Sequence, residues 1–179
     1  SALPARSEMC IRDRPMREET IFSPQISRLR AWTLLADLNR YEAWHPHYCF
    51  GAGVVELGNK IDMTWTLMGK QASLEARIVA NDKPDIIRWR AATLPLFSIE
   101  EGYEIYEDET GLHVRHSFEC KGILGLLARP LATGLRRQMR TQDASFMAAV
   151  KRTIRAVSPA NRHKRRSLSV IKGRGKSDG

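Results

Sequence analysis

The feature that most constrains the fold is one long amphipathic segment near the C-terminus. Its apolar residues recur at steps of three, four or seven, which places side chains along one face of an α-helix. Pro130 is tolerated only near a helix start, so we predict a main helix from about residue 129 to 157, roughly 40 Å long at ~1.5 Å per residue. The stripe consists of Leu131, Leu135, Met139, Phe146, Val150, Ile154 and Val157.

Between residues 48 and 119, apolar residues instead recur at every second position. Ile87 and Trp89 alternate with arginines, and Val114, His116 and Phe118 alternate with Arg115 and Ser117. Clusters of glycine, asparagine and aspartate separate these runs and are typical of turns. The pattern predicts a mostly antiparallel meander with one apolar and one polar face.

The N-terminal part predicts one further strand and short helices. Residues 17–22 form a strand candidate, after which Ser23 is expected to cap a helix with Pro24 at its first position. Apolar residues at helical spacing continue to residue 36, and residues 41–46 form an aromatic-rich turn.

A sheet with one dry face and one amphipathic helix must bury these faces against each other. The sequence therefore predicts an α+β fold in which a curved antiparallel sheet of six to seven strands wraps around a long C-terminal helix. A space remains where the sheet is wider than the helix, although the same side chains would also fill a solid core. The predicted lining is Met63, Trp65, Leu67, Trp89, Tyr103, His116 and Phe118 on the sheet, Leu131 and Leu135 on the helix, and Trp44 at the mouth.

The charge is concentrated at one end of the chain. The formal net charge is +9, and residues 159–179 hold seven basic residues and one acidic residue, so they supply six of these nine charges. We predict an N-terminal extension (1–16), one domain (17–158) and a basic disordered tail (159–179). Residues 162–176 are alternatively a weak contact for nucleic acid or an anionic membrane.

The bulk composition is that of a soluble globular protein, with 42% hydrophobic and 27% charged residues. No run of 18 apolar residues is present, which predicts no membrane-spanning helix. Cys10, Cys49 and Cys120 are too scattered for a disulfide framework or a metal knuckle, so we expect a reducing cytoplasm, with Cys49 and Cys120 as small buried side chains.

His116 and Glu101 are the candidate catalytic residues. Strand parity places His116 beside Phe118 on the concave side, where a histidine can transfer protons or bind a ligand oxygen. Glu101 shares parity with Tyr103, so a Glu101–His116 pair beside Tyr103 is one interpretation. The other is that Glu101 lies in water at a strand end.

Other motifs give weaker indications. His45 and His47 form an HxH pair without a third ligand at suitable spacing, so no metal is predicted. No phosphate-binding loop or nucleophile elbow is present, and no cofactor is predicted. The apolar segment 123–127, with glycines at 122 and 125, is a candidate lid or simply a packed helix start.

The segment from Ala31 to Pro46, AWTLLADLNRYEAWHP, resembles the first helices of the START-like superfamily, which includes polyketide cyclase/dehydrase-like and Bet v 1-like proteins. The motifs IRW at 87–89 and GLHVRH at 111–116 follow in the family's order. The resemblance implies a helix-grip fold with a deep ligand cavity. Binding or transport of a small hydrophobic molecule (a lipid, polyketide or aromatic compound) is the expected function, and a cyclase or dehydratase using His116 with Glu101 or Tyr103 is the alternative.

Overall fold

The structure is a computed structural model that describes residues 16–67, 69–94, 97–122, 130 and 132–157. Its strands are β1 (Met16–Phe22), β2 (Tyr48–Phe50), β3 (Lys60–Leu67), β4 (Lys70–Asp82), β5 (Ile86–Leu94), β6 (Phe97–Asp108) and β7 (Gly111–Lys121). Its helices are α1 (Arg28–Ala36), a 3-10 helix (Leu38–Ala43) and α2 (Ala132–Val157).

The strands form one antiparallel sheet in the order β1-β7-β6-β5-β4-β3-β2. Strands β2 to β7 are a meander of sequential neighbours, and β1 pairs with β7, with Met16 opposite Cys120 and Phe22 opposite Val114. This arrangement confirms the predicted α+β helix-grip fold, with seven strands in the part of the chain that the structure describes.

The period of two is clearest in β7, where every second side chain is buried. These are Leu112, Val114, His116, Phe118 and Cys120. Their neighbours along the strand face the other side of the sheet and remain half-buried. The prediction that His116 points to the concave face is therefore confirmed.

Helix α2 buries Met139, Phe146 and Val150, as the stripe predicts. The Phe146 ring lies 5.6 Å from Phe22 and 5.4 Å from Trp44, between centroids, so α2 joins the first strand to the segment after the 3-10 helix. Ile154 is 41% exposed, and its assignment to the buried stripe is wrong. Each step of four residues turns about 40° around the helix, so two such steps beyond Phe146 move the side chain off the buried face.

The first helix begins later than predicted. Its N-cap is Ser27 and its first residue is Arg28, so the assignment of Ser23 as cap and Pro24 as first helical residue is wrong. Ser23 Oγ instead lies 2.9 Å from His113 Nδ1, and Ile26 N donates to Pro24 O in a tight turn. The Ser23 side chain therefore bonds to β7, and Pro24 forms a turn in the connection from β1 to α1. Neither residue belongs to the helix.

Two further positions show how closely the strands constrain side chains. Cys120 is buried but Cys49 is exposed, so the prediction of a buried Cys49 is wrong. On β2, Cys49 alternates with the buried Tyr48 and Phe50.

Gly102 on β6 approaches β5 so closely that a Cβ there would lie 2.6 Å from Ile87 O. No larger residue fits at Gly102 without moving backbone.

Candidate functional site

A buried ion network joins the sheet to α2. His116 Nε2 lies 2.8 Å from Glu101 Oε1 on β6, and His116 Nδ1 lies 2.8 Å from Asp143 Oδ1 on α2. His116 is 0% exposed and Glu101 is 1% exposed. We call Glu101, His116 and Asp143 the buried ion network.

The network holds His116 as an imidazolium at neutral pH. Burial lowers the pKa of His116, but the hydrogen bonds and negative charges of Asp143 and Glu101 outweigh this effect and raise the pKa to about 9. Both ring nitrogens are therefore protonated, and each donates to a carboxylate. The charges stay buried because they are paired.

Neighbouring side chains complete the hydrogen bonds of the two carboxylates. Tyr48 Oη donates to Glu101 Oε2, and Thr20 Oγ1 donates to Asp143 Oδ2 at 2.6 Å. Gln142, next to Asp143 on α2, hydrogen-bonds the Tyr48 side chain. Burial, followed by the charge of Glu101, raises the pKa of Tyr48 well above its ordinary value, so Tyr48 remains a donor.

The Tyr103 ring stacks on His116, with centroids 4.4 Å apart and planes 27° from parallel. Tyr103 and His116 are direct partners in the β6–β7 register. The predicted juxtaposition of Glu101, His116 and Tyr103 is thus present, and Glu101 does not lie in water. Because each His116 nitrogen already donates to a carboxylate, a substrate would have to displace one of them to reach the ring.

A group of aromatic rings surrounds Tyr48 on the same concave face. The Tyr48 ring is stacked on His45 with centroids 4.6 Å apart, and it contacts Phe50 and Trp65 at 6.2 Å and Trp89 at 6.4 Å. We call Tyr48, Phe50, Trp65 and Trp89 the aromatic wall.

The predicted lining residues separate into two groups by burial. Five are closed within the core, namely Met63, Trp89, Tyr103, His116 and Phe118. Three are partly buried at its margin, namely Trp44, Trp65 and Leu135. The side chain of Leu67 and all of Leu131 lie outside the described residues, as do the predicted lid (123–127), residues 1–15 and the basic tail.

An open depression of about 550 Å³ lies between β1 and α2. Thr20 and Asp143 are among its lining residues, so the buried ion network approaches the surface here. The other lining residues are Glu19, Ile21, Phe22, Arg136 and Arg140. Arg136 is held by Glu18, with Nη2 2.6 Å from Oε2.

Sequence reasoning missed Asp143, Tyr48, Thr20 and Gln142. A signal for Asp143 was present, because the apolar stripe of α2 steps by seven from Met139 to Phe146 and Asp143 occupies the missing position. No cluster of three or more potential metal ligands occurs among the described residues, and none of the described helices is long and apolar enough to span a membrane.

A seven-stranded sheet closed by one long helix over an aromatic concave face defines a helix-grip protein. The chain belongs to the family described as polyketide cyclase / dehydrase and lipid transport, whose model matches residues 18–155. No curated protein is similar enough in sequence to match.

Solved structures confirm the fold at low sequence identity. A START superfamily protein from Mycobacterium smegmatis is 10% identical, with a TM-score of 0.63 over 76% of this chain and 98% of that one. Ara h 8.0201 is 10% identical, with a TM-score of 0.59 over 75% and 97%. The di-domain ARO/CYC StfQ from the steffimycin biosynthetic pathway is 15% identical, with a TM-score of 0.58 over 75% of this chain and 49% of that one.

Proposed function

We propose that the protein binds a small, largely apolar molecule between the concave face of the sheet and the N-terminal half of α2. The family description, which includes lipid transport, supports a binding role in this fold. The residues offered to the ligand are Trp65, at the margin of the aromatic wall, and Leu135 on α2, which are both partly buried against the same core.

One observation carries this proposal, namely the different burial of neighbouring rings. Trp89 is closed within the core, whereas Trp65 is only half-buried although it belongs to the same wall and contacts Tyr48. An indole gains much apolar contact when its exposed face is covered, and pockets for small molecules are mostly lined by such rings. The margin of the wall at Trp65 therefore supports a binding surface.

The buried ion network favours binding over catalysis by His116. A general acid or base must come within hydrogen-bond reach of the proton that it transfers. His116 is enclosed, its two nitrogens donate to Glu101 and Asp143, and the Tyr103 ring covers one of its faces. The network is suited to holding α2 on the sheet, and the cyclase or dehydratase alternative needs a substrate that opens it.

The proposal is tested with a neutral apolar probe, N-phenyl-1-naphthylamine, whose fluorescence rises in an apolar site. We expect saturable binding by the full chain, weakened about tenfold or more in Trp65→Ala. Trp32→Ala is the matched control, because Trp32 is also half-buried but lies on α1 under the Lys83 ammonium group, where binding is expected to be unchanged. Absence of saturable binding by the unaltered protein would contradict the proposal.

Native mass spectrometry of freshly purified protein adds a test that needs no chosen probe. A co-purifying molecule retained by the unaltered protein and lost from Trp65→Ala would identify the ligand directly. Retention of the same molecule by both proteins would place its site elsewhere.

The basic tail and the cytoplasmic location remain predictions from the sequence. Contact of residues 162–176 with nucleic acid or an anionic membrane is electrostatic, so it should weaken steeply with salt. Deleting residues 159–179 is expected to abolish binding to DNA or anionic vesicles at low salt. Unchanged binding after the deletion would exclude the tail as the contact.

A further inference from the structure

The sheet has a free edge at β1. Strands β1 and β2 are the two edges, and β2 has only three residues whereas β1 has seven. In an antiparallel pair, every second residue turns its N–H and C=O groups away from the partner strand. Among the described residues, no hydrogen bond joins these outward groups of β1 to another element. The edge of β1 therefore presents a row of backbone donors and acceptors with which a further strand can pair.

The open depression between β1 and α2 lies along this edge. Four consecutive residues of β1 line it, from Glu19 to Phe22. Successive side chains of a strand point to opposite faces, so a space that borders all four lies beside the strand rather than over one of its faces. These four residues span roughly 13 Å at ~3.3 Å per residue. Arg136 and Arg140 of α2 line the opposite side, so the depression occupies the place of an added strand.

The sequence of β1 protects one half of the edge and leaves the other half open. Charged side chains at a sheet edge discourage pairing with other chains. Residues 17–19 are all charged, whereas Thr20, Ile21 and Phe22 are not. Ile21 is 58% exposed beside the depression, so a side chain of an added strand can cover it. The depression borders mainly the uncharged half of β1.

One charge at the depression has no counter-ion in the described part of the chain, namely that of Arg140 on α2. The other charged side chains there are already paired. The pairs are Glu19 with Arg17, Arg136 with Glu18 and Asp143 with His116. Glu18 and Thr20 both bond to α2, so the inner face of an added strand also points toward this helix. A carboxylate on that face complements Arg140.

The charge of the chain distinguishes between two occupants of the edge. A second copy brings the same formal net charge of +9, and its Glu18 and Glu19 are already bound to arginines of that copy. An acidic segment of another protein is attracted instead, because opposite charges steer association. An extended segment also supplies backbone hydrogen bonds, as peptides do when they add a strand to an exposed sheet edge.

We propose that the edge of β1 from Glu19 to Phe22 binds an extended acidic segment of a partner protein as a further strand of the sheet. The backbone of this segment pairs with β1, one apolar side chain covers Ile21, and one carboxylate pairs with Arg140. Four strands of the sheet separate β1 from Trp65 on β3, so this edge is distinct from the proposed apolar site.

Fluorescence anisotropy of a labelled heptapeptide of alternating valine and glutamate tests the proposal on the full chain. We expect saturable binding that weakens with added salt. The corresponding peptide of valine and lysine should bind at least about tenfold more weakly, because its charge repels Arg140. Equal affinities for the two peptides would overturn the proposal.

Two modified peptides test the backbone pairing. One is N-methylated at its valines and the other at its glutamates, so each lacks alternate N–H donors. Only alternate N–H groups of an added strand point at β1. One modified peptide should therefore lose binding while the other keeps it, and equal affinities of the two would contradict strand addition.

Arg140→Glu tests the side-chain contact. Arg140 is exposed, so the variant should fold, and we expect it to bind the acidic peptide about tenfold more weakly than the unaltered protein does. Arg137→Glu is the matched control, because Arg137 is exposed on the same helix but does not line the depression. It should weaken binding much less. An equal loss in both variants would mean unspecific attraction to a basic chain, and the site would be wrong.

Two further measurements separate this edge from the apolar site and from self-association. Trp65→Ala should bind the acidic peptide as the unaltered protein does, and a loss of peptide binding there would place the peptide in the apolar site and contradict the proposal. Analytical ultracentrifugation should show a monomer that binds one peptide. A dimer that dissociates in Ile21→Lys would assign the edge to a second copy and overturn the assignment of a partner protein.

Discussion

The pH dependence of stability provides a quantitative test of the buried ion network. The pKa of His116 rises from its ordinary value of 6.5 to about 9 in the folded protein. Since each pH unit of displacement corresponds to about 1.4 kcal/mol, protonated His116 contributes about 3 kcal/mol to the free energy of unfolding. Below pH 6.5 this contribution is complete, because both the folded and the unfolded chain bind the proton.

The contribution is lost as the pH rises from 6.5 to about 9. In this window the unfolded chain releases the His116 proton while the folded chain retains it, so stability falls by up to about 1.4 kcal/mol per pH unit. His45 acts in the opposite direction, because its pKa is lowered by burial and stability falls as its unfolded form is protonated below pH 6.5. The two histidines together predict a stability maximum near pH 6.5.

Urea denaturation followed by tryptophan fluorescence between pH 6.5 and 9 measures this effect. Asp143→Asn keeps an acceptor oxygen for His116 but removes one charge, so its stability should vary much less with pH than that of the unaltered protein. Glu100→Gln is the control, because Glu100 is next to Glu101 on β6 but pairs with Arg90 and Lys121. Parallel stability curves for the unaltered protein and Asp143→Asn would refute the assignment of a protonated His116.

Three further predictions concern single positions. Tyr48→Phe removes a buried donor from Glu101, so urea denaturation should show a loss of about 1–3 kcal/mol, and a loss below that range would mean that Glu101 is satisfied elsewhere. Gly102→Ala puts a Cβ against a carbonyl oxygen of β5, so thermal unfolding should show a lower Tm or no folded protein, and an unchanged Tm would contradict the close approach. Cys49 should react with iodoacetamide well before Cys120, because Cys120 is buried and its pKa is raised to about 11; mass mapping of the native protein checks this order, and equal rates would argue against it.

The sequence predicts the architecture well because two periodicities are independent and long. The alternation in β7 specifies the inward position of His116, and the stripe of α2 specifies that one helix must cover the sheet. Strand parity also places Glu101 and Tyr103 on the same face as His116. These inferences need only the direction of a side chain within its own element.

The sequence alone does not show which polar groups meet across elements. Asp143 reaches His116 only because α2 crosses β7 at a particular position and rotation, which depends on packing of the whole core. The start of α1 was misplaced because Ser23 and Pro24 have the local chemistry of a helix start, whereas Ser23 bonds His113 on β7 instead. Likewise, the sequence does not show that His45 Nε2 lacks a hydrogen-bond partner among the described residues, because this depends on where the neighbouring backbone lies.

The pairing of β1 with β7 has a consequence for how the protein forms on the ribosome. Cys120, the partner of Met16 across the sheet, is made roughly a hundred positions after it. Strands β2 to β7 can assemble in order as they emerge, because each pairs with its predecessor. The first strand must wait, and Thr20 cannot meet Asp143 until α2 has also left the exit tunnel. Completion of this fold therefore follows the synthesis of α2, and until then the waiting strand and the open sheet edge are targets for chaperones and proteases.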